Sequence, residues 1–272
     1  MKKATNKKQL NNLRDSILKN DGNIKGMLVE QKLNKLFEQN KENREDRVGL
    51  HGSEVIKPDE EFCYRKAVLS FYFKGKEVRH PLNVQRIFLN GNYVHEKWQR
   101  LFKQTGVAVA IEQRGESIEW GLLFTPDAAI KLGNKYYVVE IKSVNTIQFK
   151  QMKSHPSGEK QLQLYMHMTG MPNGFVLCED KNNQEIKVFP FEYDPMKAKP
   201  FVERMHKVKL LRDKFEKERK LPVKMCTSAS CKKAQGCPYK NACFNIERIP
   251  LKNGQKTGEL NQKAVVNNGN EK

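Results

Sequence analysis

No run of eighteen apolar residues occurs in this 272-residue sequence, so no ordinary membrane-spanning helix is expected. The opening residues, MKKATNKKQL, lack the apolar core of a signal peptide. These two absences point to a cytoplasmic protein with no membrane partner. Cysteine is scarce, six in all, and in a reducing compartment a local group of thiols suggests metal rather than disulfides. Acidic residues are in deficit: 31 Asp and Glu stand against 50 Lys and Arg, a formal net charge of +19. Such a surplus suits a polyanion, nucleic acid first and an anionic membrane surface second. There is also no internal repeat, which excludes a solenoid.

What is present divides along the chain. Residues 1–50 are polar and highly charged, with leucines at helical spacing (Leu10, Leu13, Leu28, Leu33), and read as a helical extension ending in the run NKENREDR. Residues 51–250 carry the patterned core, and residues 251–272 read as a disordered tail. Within the core, Pro58 followed by Asp-Glu-Glu predicts a helix start, on a helix bearing Cys63, Arg65 and Lys66. A second helix is expected over 84–102, strands at 107–112, 117–124, 127–132 and 135–144, and a third helix over 158–169. A hairpin, GFVLCE-DKNNQ-EIKVFPF, and a basic helix over 196–220 follow. That order indicates an α/β fold with a mixed sheet flanked by helices.

The segment KYYVVEIKSV (135–144) places Glu140 and Lys142 on one face of an otherwise apolar strand. Burying such a pair adds little stability over apolar residues, so another reason for its presence is needed. Asp127, after Pro126, lies thirteen residues before Glu140, with the turn Lys131–Asn134 between them. Two strands joined there bring Asp127 toward Glu140 and Lys142. Two carboxylates beside a lysine suit Mg²⁺ or Mn²⁺, with the lysine orienting a water and offsetting phosphate charge. The competing reading is a surface hairpin with alternating charges. Glu185-Ile186-Lys187 repeats the tripeptide, but no Pro-Asp lies one strand upstream, and it reads as a solvated strand face.

Pro126-Asp127, Glu140-Ile141-Lys142, Gln161-x-x-x-Tyr165 and, upstream, Gly91-x-x-x-His95 resemble, in order, the motifs of the RecB-like branch of the PD-(D/E)XK nucleases. The resemblance covers about residues 60–245. It departs where the branch often has a glycine before Pro-Asp; here Leu123, Phe124 and Thr125 stand. It implies a restriction-endonuclease-like core and a metal-dependent exonuclease acting on DNA that is single-stranded or has free ends. His95, Asp127, Glu140 and the Ile141 backbone carbonyl would be the metal ligands, and Lys142, Gln161 and Tyr165 would complete the catalytic set. Without the resemblance, His95 beside Trp98 reads as an ordinary core histidine, and Gln161 with Tyr165 as one face of an amphipathic helix.

Cys226, Cys231, Cys237 and Cys243 are separated by four, five and five residues. A structural zinc site would use four thiolates, but usually with a tighter pair; an iron–sulfur cluster also takes four. The sequence is similar here to the CRISPR-associated RecB-like exonucleases and the AddB nuclease domain, which place one cysteine before the core and three after it. That implies a [4Fe–4S] cluster on Cys63, Cys231, Cys237 and Cys243, with Cys226 as the alternative to Cys231 and structural Zn²⁺ as the alternative metal. Cys178, in an apolar strand, reads as packing. From Lys197 to Lys256, 17 Lys or Arg face 5 Asp or Glu, a solvated basic helix by default or a track for a nucleic-acid backbone. Two alternatives remain open: a non-catalytic DNA-binding subunit working with recombination or replication proteins, and an endonuclease that cuts structured DNA.

Overall fold

The computed structural model describes residues 31–35, 48–76 and 80–245. Most of the N-terminal extension, the charged run 40–47 and the tail 251–272 lie outside them. Residues 31–35 are helical and belong to a unit that ends at Glu45; the second unit begins at Asp46.

The second unit opens with β1 (Leu50–His51), α1 (Gly52–Val55), α2 (Tyr64–Leu69) and the long α3 (Leu82–Gln104). Strands β2 (Ala108–Ile111), β3 (Gly115–Ser117), β4 (Leu122–Phe124), β5 (Ala128–Leu132) and β6 (Lys135–Val144) follow. Next come α4 (Thr146–Gln151), α5 (Pro156–Thr169), β7 (Asn173–Asp180) and β8 (Ile186–Glu192). The C-terminal elements are α6 (Pro195–Glu218), α7 (Lys232–Gln235) and α8 (Lys240–Asn245). The main sheet has the order β2-β5-β6-β7-β8; β6 and β7 are parallel and every other pair is antiparallel. The fold is therefore α/β with a mixed sheet, and α4 and α5 form the crossover that a parallel pair requires.

Alternation along β6 sends its side chains into two cores. Val138 and Val144 face one built with Leu162, Tyr165, Met166, Val176 and Phe201 from α5, β7 and α6. Val139 and Ile141 face another with Val94, Phe102, Ala128, Ile130 and Leu177, under α3. By the same period of two, Glu140 and Lys142 fall on the α5 face.

Three expectations are corrected. Pro58 opens a turn rather than a helix: Phe62 N–H bonds to the Pro58 carbonyl, and α2 begins only after Cys63, whose Sγ accepts the Lys66 N–H. The Arg204 guanidinium, on α6, binds the carbonyls of Val55 and Lys57 and the Asp59 carboxylate, so the acidic first turn is spent on a tertiary contact. Residues 117–124 are not one strand. They split into β3 and β4 around Gly121 at φ +59, and with β1 make a second, three-stranded sheet. Finally, α6 is more than a basic surface, because Phe201, Met205, Val208 and Phe215 are buried along one side.

Candidate active site

β5 and β6 are joined by a two-residue turn with Gly133 at φ +59, a conformation glycine adopts without a side-chain clash. The register from that turn pairs Ala128 with Val139, so Asp127 stands one step further, opposite Glu140. There β5 stops, and the Asp127 carboxylate takes over its pairing: Oδ2 accepts the Ile141 N–H at 2.6 Å. Beyond this point β6 continues with β7 alone, from Glu140 to Val144. The site lies in this notch.

His95, on α3, meets Asp127 from the opposite side, with Nδ1 3.2 Å from Oδ1. Lys142 Nζ lies 2.5 Å from Glu140 Oε1 and 3.2 Å from Gln161 Oε1. Gln161 Nε2 in turn donates to the Tyr165 hydroxyl at 2.8 Å. Thus His95, Asp127, Glu140, Lys142, Gln161 and Tyr165 do converge. Ile141 enters through its N–H; the role foreseen for its carbonyl rests on the resemblance alone.

The electrostatics single out Glu140. Burial, reinforced by the Asp127 charge and opposed by Lys142, pushes its carboxyl up to about 7. Its Oε2 is buried with no hydrogen-bond partner. A buried carboxylate oxygen left bare is costly unless something positive reaches it. Burial also works against a charged His95, but the hydrogen bond and charge of Asp127, with Glu140 behind them, hold its pKa above the ordinary value. The Tyr165 phenol is held well above its ordinary value by burial and by the Glu140 charge, so it remains a donor.

Several supports escaped the sequence reading. Gln99, one turn after His95 and buried, donates to Glu112 Oε1 at 2.9 Å and to the Asp127 carbonyl at 3.2 Å. Its spacing of four from His95 was the available signal. Glu179, buried at the end of β7, accepts from Lys97 Nζ and Trp98 Nε1, both at 2.6 Å, and so clamps α3 beside His95. His155 caps α5, its Nδ1 accepting the Gly158 N–H at 3.0 Å. Burial and the Lys142 charge depress its pKa.

The second Glu-Ile-Lys also departs from expectation. Glu185 and Ile186 are exposed, but Lys187 is half-buried: its Nζ donates to the Phe149 carbonyl at 2.6 Å and sits 4.7 Å from the Phe149 ring, capping α4. Cys178 is buried, as its apolar strand suggested, and burial pushes its thiol up to about 11.

The late cysteines fold back onto the start of α2. Arg65 donates to the carbonyls of Pro222 at 2.9 Å and Cys243 at 3.0 Å, and Lys76 N–H bonds to the Pro238 carbonyl at 2.9 Å. Cys63, Cys231 and Cys237 act on Cys226, whose thiol is pushed up to about 11, first by burial and then by Cys231. Burial also raises the Cys237 thiol, with Cys63 and Cys243 adding to it. Cys231 is lowered, chiefly by the Ala234 N–H. All five cysteines of the sequence proposal therefore share one neighbourhood.

Among the described residues, no three His, Cys, Asp or Glu groups close on a single point with metal-binding geometry. At the notch the groups satisfy one another, His95 with Asp127 and Glu140 with Lys142. The bare Oε2 and raised carboxyl of Glu140, together with a second carboxylate and an imidazole, form a donor set that fits a hard divalent cation.

No protein-family model and no curated protein matches the chain. Among solved structures it is similar to one titled SSO0001, at 15% identity over 68% of this chain and 85% of that one, TM-score 0.41. It is also similar to an alkaline exonuclease, LHK-Exo from Laribacter hongkongensis, at 18% identity over 63% of this chain and 95% of the other, TM-score 0.43. The same enzyme in complex with dAMP gives 17% identity, 62% and 94% coverage, and a TM-score of 0.42. These likenesses are distant, and the functional reading rests on side-chain geometry. Among the described residues, no helix is long and apolar enough to cross a membrane.

Proposed function

We propose that the protein is a metal-dependent deoxyribonuclease that hydrolyses phosphodiester bonds at DNA ends. One observation carries the reading: the buried, unpartnered Oε2 of Glu140, set opposite Asp127 in a notch that also holds His95 and Lys142. Asp127, Glu140 and His95 would hold Mg²⁺ or Mn²⁺, with the Ile141 carbonyl as a further ligand. Bound there, the ion would lower the pKa of a water and neutralise phosphate charge. Asp127 fixes the His95 ring through Nδ1, which leaves Nε2 as the ring nitrogen for a ligand. Lys142 stands where an ammonium can orient the attacking water and donate to a non-bridging phosphate oxygen. Gln161 holds that ammonium through its carbonyl, and Tyr165 holds Gln161. The preference for ends over internal bonds rests on the sequence resemblance, not on geometry.

The test is end-labelled single- and double-stranded DNA incubated with Mg²⁺, Mn²⁺ or EDTA. Wild type should cut only with metal. Asp127→Asn, which keeps size but loses charge, should fall to background while still binding DNA. Wild type that binds DNA yet never cuts it with either ion would overturn the reading in favour of a non-catalytic DNA-binding subunit.

The cysteine neighbourhood fits a second centre, a [4Fe–4S] cluster on Cys63, Cys231, Cys237 and Cys243, with Cys226 in place of Cys231 as the variant. Thiols that raise one another's pKa are stabilised as thiolates by a cationic centre. The cluster would tie α2 to a segment more than 160 residues away, opposing a large loop-closure entropy. Protein purified without air should be brown and contain iron and acid-labile sulfide, and Cys63→Ala should lose both. Zinc without sulfide, unaffected by Cys63→Ala, would point instead to a four-cysteine zinc knob.

A further inference from the structure

The helix that carries His95 extends beyond the core it packs on. The buried residues of α3, Val94, Gln99 and Phe102, all lie in its second half. On a helix of 3.6 residues per turn, the stripe holding His95, Gln99 and Phe102 runs backward through Gly91, Phe88 and Val84. Along that continuation Val84 and Gly91 are half-buried and Phe88 is exposed. Phe88 is 42% exposed and the neighbouring Ile87 55%. Among the described residues, a β-carbon placed on Gly91 would meet no atom of another element within 4 Å. Phe88 meets the ring of His80 edge to face at 5.3 Å and stands two turns from His95.

We infer that this overhang is a platform for unpaired nucleobases: Phe88 supplies the ring on which a base stacks, and Gly91 the gap through which the sugar–phosphate chain reaches His95. The inference rests on the phosphodiesterase reading of the notch. Two observations select this occupant. The stripe is continuous with the face of His95, about 10 Å away along the helix at 1.5 Å per residue. Lys97 on this helix is taken up by Glu179, but Arg100 and Lys103 remain against Glu96, so an anionic chain is attracted along it. Ile87, Tyr93 and Leu101 are also exposed on other sides of this helix, so oligomeric mass is read alongside binding in the test. Duplex DNA keeps its base faces inside the stack, so an exposed aromatic ring suits bases that are already unpaired.

The test uses full-length protein carrying Asp127→Asn, so that binding is read without cleavage. Single-stranded oligonucleotides with 2-aminopurine at successive positions report stacking by fluorescence quenching. One position should be quenched, Phe88→Ala should abolish the quench and weaken binding roughly 10-fold, and Phe88→Trp should restore both. Gly91→Leu should weaken binding similarly without lowering the melting temperature, because among the described residues no atom of another element lies within 4 Å of the β-carbon it adds. Quenching and affinity unchanged by Phe88→Ala would overturn the platform. So would a change in oligomeric mass on Phe88→Ala, which would make the stripe a protein interface. The two readings fail separately: Phe88-dependent quenching in a protein that never cuts sinks only the nuclease reading, and cutting with Phe88-independent binding sinks only the platform.

Discussion

The tripeptide Glu-Ile-Lys occurs twice in this protein, on the same sheet, and only one copy builds a site. The register pairs Lys142 with Cys178 and Cys178 with Lys187, so the two lysines share a face two strands apart, about 10 Å by strand spacing. Their surroundings differ at every position. Glu140 is buried and Glu185 exposed; Ile141 is 0% exposed and Ile186 47%. Lys142 contacts a carboxylate and Gln161, whereas Lys187 caps the end of α4. Place in the sheet separates them. β6 is central and outruns β5, leaving a notch that Asp127 and His95 fill, while β8 is an edge strand with water on one side. The chemistry belongs to the notch, not to the three letters.

The largest expected effect tests that statement directly. Lys142→Ala should lower the cleavage rate roughly 10²–10³-fold, the usual cost of removing one electrostatic stabiliser of the transition state. DNA affinity should change little, since the chain carries a net charge of +19. Single-turnover cleavage set beside a binding titration checks both halves. An active Lys142→Ala protein would break the comparison at its centre.

The next effect concerns the two glutamates and pH. Without a bound cation, burial and the Asp127 charge push the Glu140 carboxyl up to about 7, against 4.5 for an ordinary glutamate. A carboxyl with a higher pKa folded than unfolded binds extra protons in the native state. The contribution of this carboxyl to stability is therefore fullest below about pH 4.5 and is lost as pH climbs through about 7. Chemical denaturation in EDTA at several pH values should show that slope, and Glu140→Gln should remove it. Glu185→Gln, at an exposed position, is the control and should keep the wild-type slope. Mn²⁺ added at pH 7.5 should recover stability in wild type and not in Glu140→Gln, because it favours the charged carboxylate.

Much of this contrast was legible in the sequence, and the exceptions have physical reasons. Period-two alternation placed Glu140 and Lys142 on one face, and the short turn after Leu132 placed Asp127 opposite Glu140. Turn chemistry and strand period are local, so one sequence suffices to read them. The Pro58 signal gave only one turn, where Glu61 and Phe62 bond to the Pro58 carbonyl, and Arg204, nearly 150 residues away, holds the flanking Val55 and Lys57 carbonyls and the Asp59 carboxylate in a tertiary contact. Glu179 went unseen because an acid carries no pattern until the fold brings Lys97 and Trp98 to it. The short α4 was missed although its signal was local, since Asn145 caps it by accepting the Gln148 N–H at 3.0 Å.

The smallest effect belongs to Lys187, and it turns the contrast from catalysis to stability. Its ammonium satisfies the Phe149 carbonyl at 2.6 Å and approaches that of Met152 at 3.5 Å, where α4 would otherwise end with acceptors unpaired. A cation at a helix C-terminus also meets the negative end of the helix dipole. Lys187→Ala should therefore lower unfolding free energy by about 1 kcal/mol, since the group is only half-buried and water replaces part of the lost bond. Well below the melting temperature, cleavage and DNA affinity should match wild type, because Lys187 contacts none of His95, Asp127, Glu140 or Lys142. Lys187→Arg should recover part of the stability, its guanidinium reaching the same carbonyl. A folded Lys187→Ala protein that no longer cuts would mean that the edge strand takes part in the chemistry, and that the tripeptide, not the notch, marks the site.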